Sequence, residues 1–68
     1  MTKYYVNKNP QANGDHEVHK ESCPVLPDEE NRRYLGDFAT CHEAVREARK
    51  IYPTADGCRI CSPECHRS

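Results

Sequence analysis

Cys58-Arg59-Ile60-Cys61 places two thiols three positions apart, a spacing that lets both sulfurs reach one ion from a single tight turn. Such a pair is half of a metal site. The other half is offered by His19 and Cys23, spaced H-x-x-x-C. Together His19, Cys23, Cys58 and Cys61 supply three sulfurs and one imidazole, a tetrahedral donor set suited to zinc. A second set is open on the same residues. Cys61-x-x-x-Cys65 adds a further sulfur, so Cys23, Cys58, Cys61 and Cys65 could bind the ion with His19 outside the ligand sphere. Cys65 and His66 otherwise read as a frayed tail. His19 is favoured because it and Cys23 deliver two ligands from one short segment. A redox role for Cys58/Cys61 is the competing chemistry. A thioredoxin-like C-x-x-C opens a helix within a βαβ unit, whereas this one follows a helix and precedes Pro63. Metal binding fits better.

Other reactive side chains have blander readings. Cys41 lies on the apolar face of an expected helix, as a small buried hydrophobe. His42 falls on the polar face of that helix. His16 and His19 are three apart, so in a strand only one of them can point at a shared ion. Asp28-Glu29-Glu30 reads as a solvated loop, with no ladder of spaced oxygen ligands for a hard cation. No Ser-His-Asp set, glycine-rich phosphate loop or paired catalytic carboxylates stand out. A closed four-ligand site leaves no open coordination position. The expectation is therefore a non-enzymatic, structural zinc-binding module used for recognition of a macromolecular partner. The alternatives are a thiol-reactive or redox protein using Cys58/Cys61, or a weak DNA-binding module.

These residues need elements to carry them. Lys3-Tyr4-Tyr5-Val6-Asn7 predicts a strand, since Tyr and Val suit a pleated surface. Asn9-Pro10 and Asn13-Gly14 signal a break and a turn. Asp15 to Lys20, with Val18 inward, completes an irregular hairpin. Residues 21–32 read as loop, and Arg33-Tyr34-Leu35 as a short third strand closed by Gly36. A helix is expected from Cys41 to Ile51. Thr40 and Glu43 form a T-x-x-E capping box at its start. Cys41, Ala44, Val45, Ala48 and Tyr52 share one helical face. Pro53 stops the helix, and Gly57 gives a sharp turn into Cys58. The fold class is α+β: a small antiparallel sheet of two or three strands, one packed helix and a C-terminal Cys-x-x-Cys zinc knuckle.

The 68 residues make one domain, 1–68. Apolar residues are 35% of the chain and charged residues 31%. A core this small rarely supplies more than about 3–5 kcal/mol, and small domains add a metal, disulfides or a partner. The five cysteines could serve either staple. An odd count leaves one unpaired in a disulfide framework, and the N-terminal residues lack the apolar run of a signal peptide. A reducing, cytoplasmic setting with bound metal is the expectation. No stretch is long enough to span a membrane. Net charge is −1, with Lys and Arg dispersed. That argues against a dedicated nucleic-acid protein and leaves the partner open between protein and nucleic acid. A monomer is expected.

The order of these motifs resembles a known family. Tyr5-Val6-Asn7, Val18-His19, Cys23, Asn31-Arg32, Tyr34, Glu43-Ala44 and Cys58-x-x-Cys61 are similar to the zinc-binding N-terminal domain of the bacterial Ada alkylation-repair protein and its nuclease-appended relatives. The likeness spans residues 5–61. It implies zinc at His19, Cys23, Cys58 and Cys61. In Ada itself the first position of the early pair is a cysteine that accepts a methyl group from a DNA phosphotriester. Here it is His19, so the nucleophile is missing and methyl transfer does not carry over. The Gly57-Cys58 turn and the Cys65-His66 tail also depart from the family pattern.

Overall fold

In the computed structural model, which describes residues 1–67, four strands and one α-helix follow in the order β1 (Thr2–Asn7), β2 (His16–Lys20), β3 (Arg32–Phe38), α1 (Cys41–Arg49) and β4 (Ala55–Gly57). Single 3-10 turns occupy Glu29–Asn31 and Pro63–Cys65. The sheet order is β3-β1-β2-β4. β1 runs antiparallel to both β2 and β3, while β4 lies parallel to β2. The α+β class is as expected, but the sheet is mixed and has four strands, not two or three antiparallel ones. The missed strand is Ala55-Asp56-Gly57, residue types with little preference for strands. It exists because tertiary partners hold it: all three residues are buried and pair with His16, Glu17 and Val18.

Alternation along the strands divides the sheet into two faces. Tyr4, Val6 and Val18 point to one, with Val6 directly opposite Val18. The predicted apolar stripe of α1, namely Cys41, Ala44, Val45 and Ala48, is buried against them. Leu35, Phe38 and Tyr52 pack at its margin. The core thus holds few large side chains, consistent with the thin apolar composition.

Strand β3 runs through Gly36 instead of stopping there. The β1–β3 register slips by one residue: Tyr4 pairs with Gly36 but Tyr5 with Tyr34, leaving Leu35 as a bulge. Gly36 adopts φ 134°, a conformation other residues rarely take, so the glycine bends the strand and does not end it. The bulge turns Phe38 inward beside Tyr4 (ring centroids 6.3 Å apart) and leaves Tyr34 on the opposite face beside Tyr5 (5.4 Å).

The helix begins where its capping box predicts. The Glu43 N–H donates to Thr40 Oγ1 at 3.4 Å, and the Glu43 carboxylate lies 3.5 Å from the same hydroxyl. It ends at Arg49, two residues short of the expected Ile51. The N–H groups of Ile51 and Tyr52 both donate to the Ala48 carbonyl, closing the helix before Pro53. Arg49 Nε then donates to the Ala55 carbonyl at 3.0 Å, tying the helix end to β4. Replacing Thr40 with Ala is expected to cost about 0.5–1 kcal/mol, the low end for an N-cap because the bond is long. It should leave metal stoichiometry unchanged. Urea denaturation of T40A checks the first, and metal analysis the second. Among the described residues, no helix is long and apolar enough to cross a membrane.

Candidate metal centre

Because Val18 faces the helix, its neighbour His19 faces the other side of the sheet, where it is 2% exposed. Two short segments bring sulfur to it. After β2 the chain turns, with the Cys23 N–H donating to the Lys20 carbonyl, and this places Cys23 beside the imidazole. From the far edge, the Cys58 N–H donates to the Val18 carbonyl at 2.9 Å and so extends the β2–β4 ladder by one residue. A tight turn follows, closed by the Ser62 N–H on the Cys58 carbonyl at 2.8 Å, and carries Cys61 to the same place. Strand β4, not a glycine turn, therefore aims the Cys-x-x-Cys. Gly57 is needed for space: a Cβ there would lie 2.6 Å from Cys65 Cβ and 2.8 Å from the Cys65 carbonyl carbon.

The four expected ligands come together. One donor atom from each of His19, Cys23, Cys58 and Cys61 lies within 4.8 Å of the others. The separations match a coordination tetrahedron. Bond lengths of about 2.3 Å to sulfur and about 2.05 Å to nitrogen give edges of about 3.8 Å (S···S) and 3.6 Å (S···N). Here Cys23 Sγ and Cys58 Sγ are 3.9 Å apart, and Cys23 Sγ is 3.4 Å from His19 Nδ1. These side chains form a Cys/His group that could hold a metal ion.

The surroundings suit such an ion. The Lys20 N–H lies 3.3 Å from Cys61 Sγ, and the Ile60 N–H 3.4 Å from Cys58 Sγ, so backbone dipoles face two of the sulfurs. Nδ1 of His19 faces the sulfurs while its Nε2 lies 3.7 Å from the Glu17 carboxylate. Glu17 and His19 sit two apart on one strand face, the arrangement by which a carboxylate orients a ligating imidazole. Burial disfavours the charged forms of Cys23, Cys58 and His19. It pushes the Cys23 thiol up to about 12, against the opposing pull of a hydrogen bond from the Val25 backbone. Burial likewise raises the Cys58 thiol and lowers His19. A bound cation would reverse this balance for the thiols, since thiolates are its ligands.

The remaining candidates separate. His16 is not at the centre: its Nδ1 contacts the Asn7 carbonyl at 2.9 Å and its ring stacks on Tyr52 at 3.9 Å. His42 is exposed on α1, as expected. Cys65 is neither a tail residue nor a member of the four-ligand group. It is 7% exposed and disulfide-bonded to Cys41. The all-cysteine set is therefore corrected, as are the reading of Cys41 as a mere apolar filler and the expectation that every cysteine is reduced. The odd count resolves as one bridge and three free thiols, Cys23, Cys58 and Cys61. Spacing could not reveal this pairing, because the 3-10 turn at Pro63–Cys65 is what folds the C-terminal segment back onto α1. By loop-closure entropy over a separation of 24 residues, the bridge contributes about 3.5 kcal/mol. Replacing Cys41 and Cys65 together with Ser should lower stability by about that amount while one ion per chain is retained. Denaturation and metal counting on the same sample test both halves.

A cleft of about 560 Å3 opens beside the centre, with Asn7, Glu17, His19, Cys58, Arg59 and Ile60 in its wall. Val25 and Ile60, at its rim, are 48% and 56% exposed. Comparison of the chain with known family models, curated proteins and solved structures finds no match.

Proposed function

We propose that this chain is a structural zinc-binding module, held together by one zinc ion on His19, Cys23, Cys58 and Cys61, whose task is to present a surface to a macromolecular partner. The observation that carries this reading is the near-tetrahedral spacing of donors, three of the four buried, that lie at or just beyond the C-terminal ends of the parallel neighbours β2 and β4. Four protein ligands leave no coordination position for substrate, so the module is non-enzymatic and the zinc serves the fold. The likeness to the Ada-type zinc domain stands in the same proposal, stripped of methyl transfer by His19. A zinc-type donor set with three free thiols, Cys23, Cys58 and Cys61, suits a cytoplasmic site of action.

The recognition surface we infer surrounds the metal loop. Val25 and Ile60 offer exposed apolar contacts beside the cleft. The adjacent sheet face carries Tyr5 and Tyr34, with the Arg32 guanidinium 4.7 Å above the Tyr5 ring. Ile60 and Val25 suit a protein partner more than a phosphate backbone. Nucleic-acid binding is expected to be weak at physiological salt, because Lys and Arg are offset by nearby acids such as Asp37, 3.9 Å from Lys3. A titration against single- and double-stranded DNA measures this, and a tight, sequence-selective complex would overturn it. A thiol-reactive reading draws on Cys61, which reaches solvent more than the other three ligands. Native mass spectrometry with an alkylating probe distinguishes the two. One zinc ion with Cys23, Cys58 and Cys61 protected supports the structural module. Rapid alkylation of Cys61 in the zinc-loaded protein favours the reactive one.

A further inference from the structure

Cys41, His42 and Cys65 form a second cluster of donor atoms, all within 4.8 Å of one another, at the start of α1 and away from the centre already described. We propose that this cluster is a redox-gated second metal site: once the Cys41–Cys65 bridge is reduced, the two thiols and the His42 imidazole bind a thiophilic cation of the zinc class. As a disulfide the two sulfurs have no charge to offer. A dithiol reductant transfers two electrons and two protons to the bridge, giving two cysteine thiols and its own cyclic disulfide. The cation then displaces those two protons and binds two thiolates and a neutral imidazole. This soft donor set selects zinc-like ions over calcium or magnesium.

The surroundings meet the other requirements of such a site. The cysteines are 4% and 7% exposed, so their backbone positions are fixed by the core around them. The two sulfurs need only part from bonding distance to about 3.8 Å, one edge of a coordination tetrahedron. His42 is exposed and lines a small cleft of about 90 Å3 with Glu64 and Cys65. The ion therefore has an entry path, and water from the cleft can supply a fourth ligand. The pair sits where a switch is useful. Cys65 Cβ touches the position where Gly57 lacks a side chain, directly before the ligand Cys58. In a reducing compartment a bridge of this kind is transient, and metal would replace it as the staple between α1 and the C-terminal segment.

The test counts ions on the full chain in its two redox states. Protein loaded with one equivalent of zinc is left oxidised or treated anaerobically with a phosphine, which takes an oxygen from water as it reduces the bridge. Both forms are titrated with Zn2+, followed by native mass spectrometry, and with Co2+, followed by visible absorption. One additional ion should bind only after reduction. Its cobalt form should show a weaker thiolate charge-transfer band than the three-sulfur centre. His42→Ala, at an exposed position that leaves folding intact, should weaken the additional ion at least tenfold and leave the first one in place. An unchanged count on reduction overturns the proposal, as does an additional ion that H42A holds with full affinity. Failure of the zinc centre is distinguishable. In that case the oxidised protein carries no ion, while the His42-dependent ion still appears on reduction.

Discussion

Removing the metal is expected to unfold this protein. The core is built around Val6, Val18, Val45, three alanines and a single buried tyrosine, and a small core of this kind supplies only about 3–5 kcal/mol. Structural zinc in small domains contributes apparent binding free energies of about 10–16 kcal/mol at neutral pH, realised only when the chain folds. Here the ion would join β2 and its following turn to the segment after β4. It would reinforce a short strand pairing, since β2 and β4 share three residue pairs. A high-affinity chelator should abolish the cooperative thermal transition, and added zinc should restore it. His19→Ala should cost more metal affinity than the roughly 10–100-fold seen when an outer partner of a ligand is removed. Cys65→Ser should leave the stoichiometry of this centre unchanged, because its sulfur belongs to the bridge with Cys41. Equal melting temperatures for chelated and loaded protein would show that the site does not hold the fold.

The second large effect is expected at Gly57. An alanine Cβ there would meet Cys65 Cβ at 2.6 Å and the Cys65 carbonyl oxygen at 2.9 Å. Neither neighbour gives way cheaply. Cys65 is bridged to Cys41, and its N–H donates to the Ser62 carbonyl. Gly57 itself pairs with Val18 in β2. Overpacking in such a place costs about 1–3 kcal/mol, and the upper end is expected because backbone, not a flexible side chain, must move. The displacement passes to Cys58, so metal affinity should fall as well. In a C41S/C65S background the C-terminal segment is freer to shift, and Gly57→Ala should then cost measurably less. A double-mutant cycle in urea reads this coupling. Additive costs would show that Gly57 and the bridge act independently.

The sequence by itself determined the parts whose physics is local. Thr40 and Glu43 mark the start of α1, and the spacing of Cys41, Ala44, Val45 and Ala48 marks its buried face, because capping and helical periodicity act within a few residues. Ligand chemistry is legible in the same way: three of the candidate sulfurs and His19 are identifiable by type and spacing, and the fold gathers these four donors. Tertiary structure decided the rest. Ala55-Asp56-Gly57 becomes a strand only because β2 offers an edge for pairing. Gly36, a stop signal by type, instead bends β3 so that Leu35 bulges and Phe38 turns into the core. Cys65 was assignable by spacing either to the metal or to a loose tail. Its actual partner, Cys41, lies 24 residues earlier, and only the packing of the C-terminal 3-10 turn against α1 brings the two sulfurs together. Contacts at that separation depend on how whole elements stack, and no local pattern of residues encodes them.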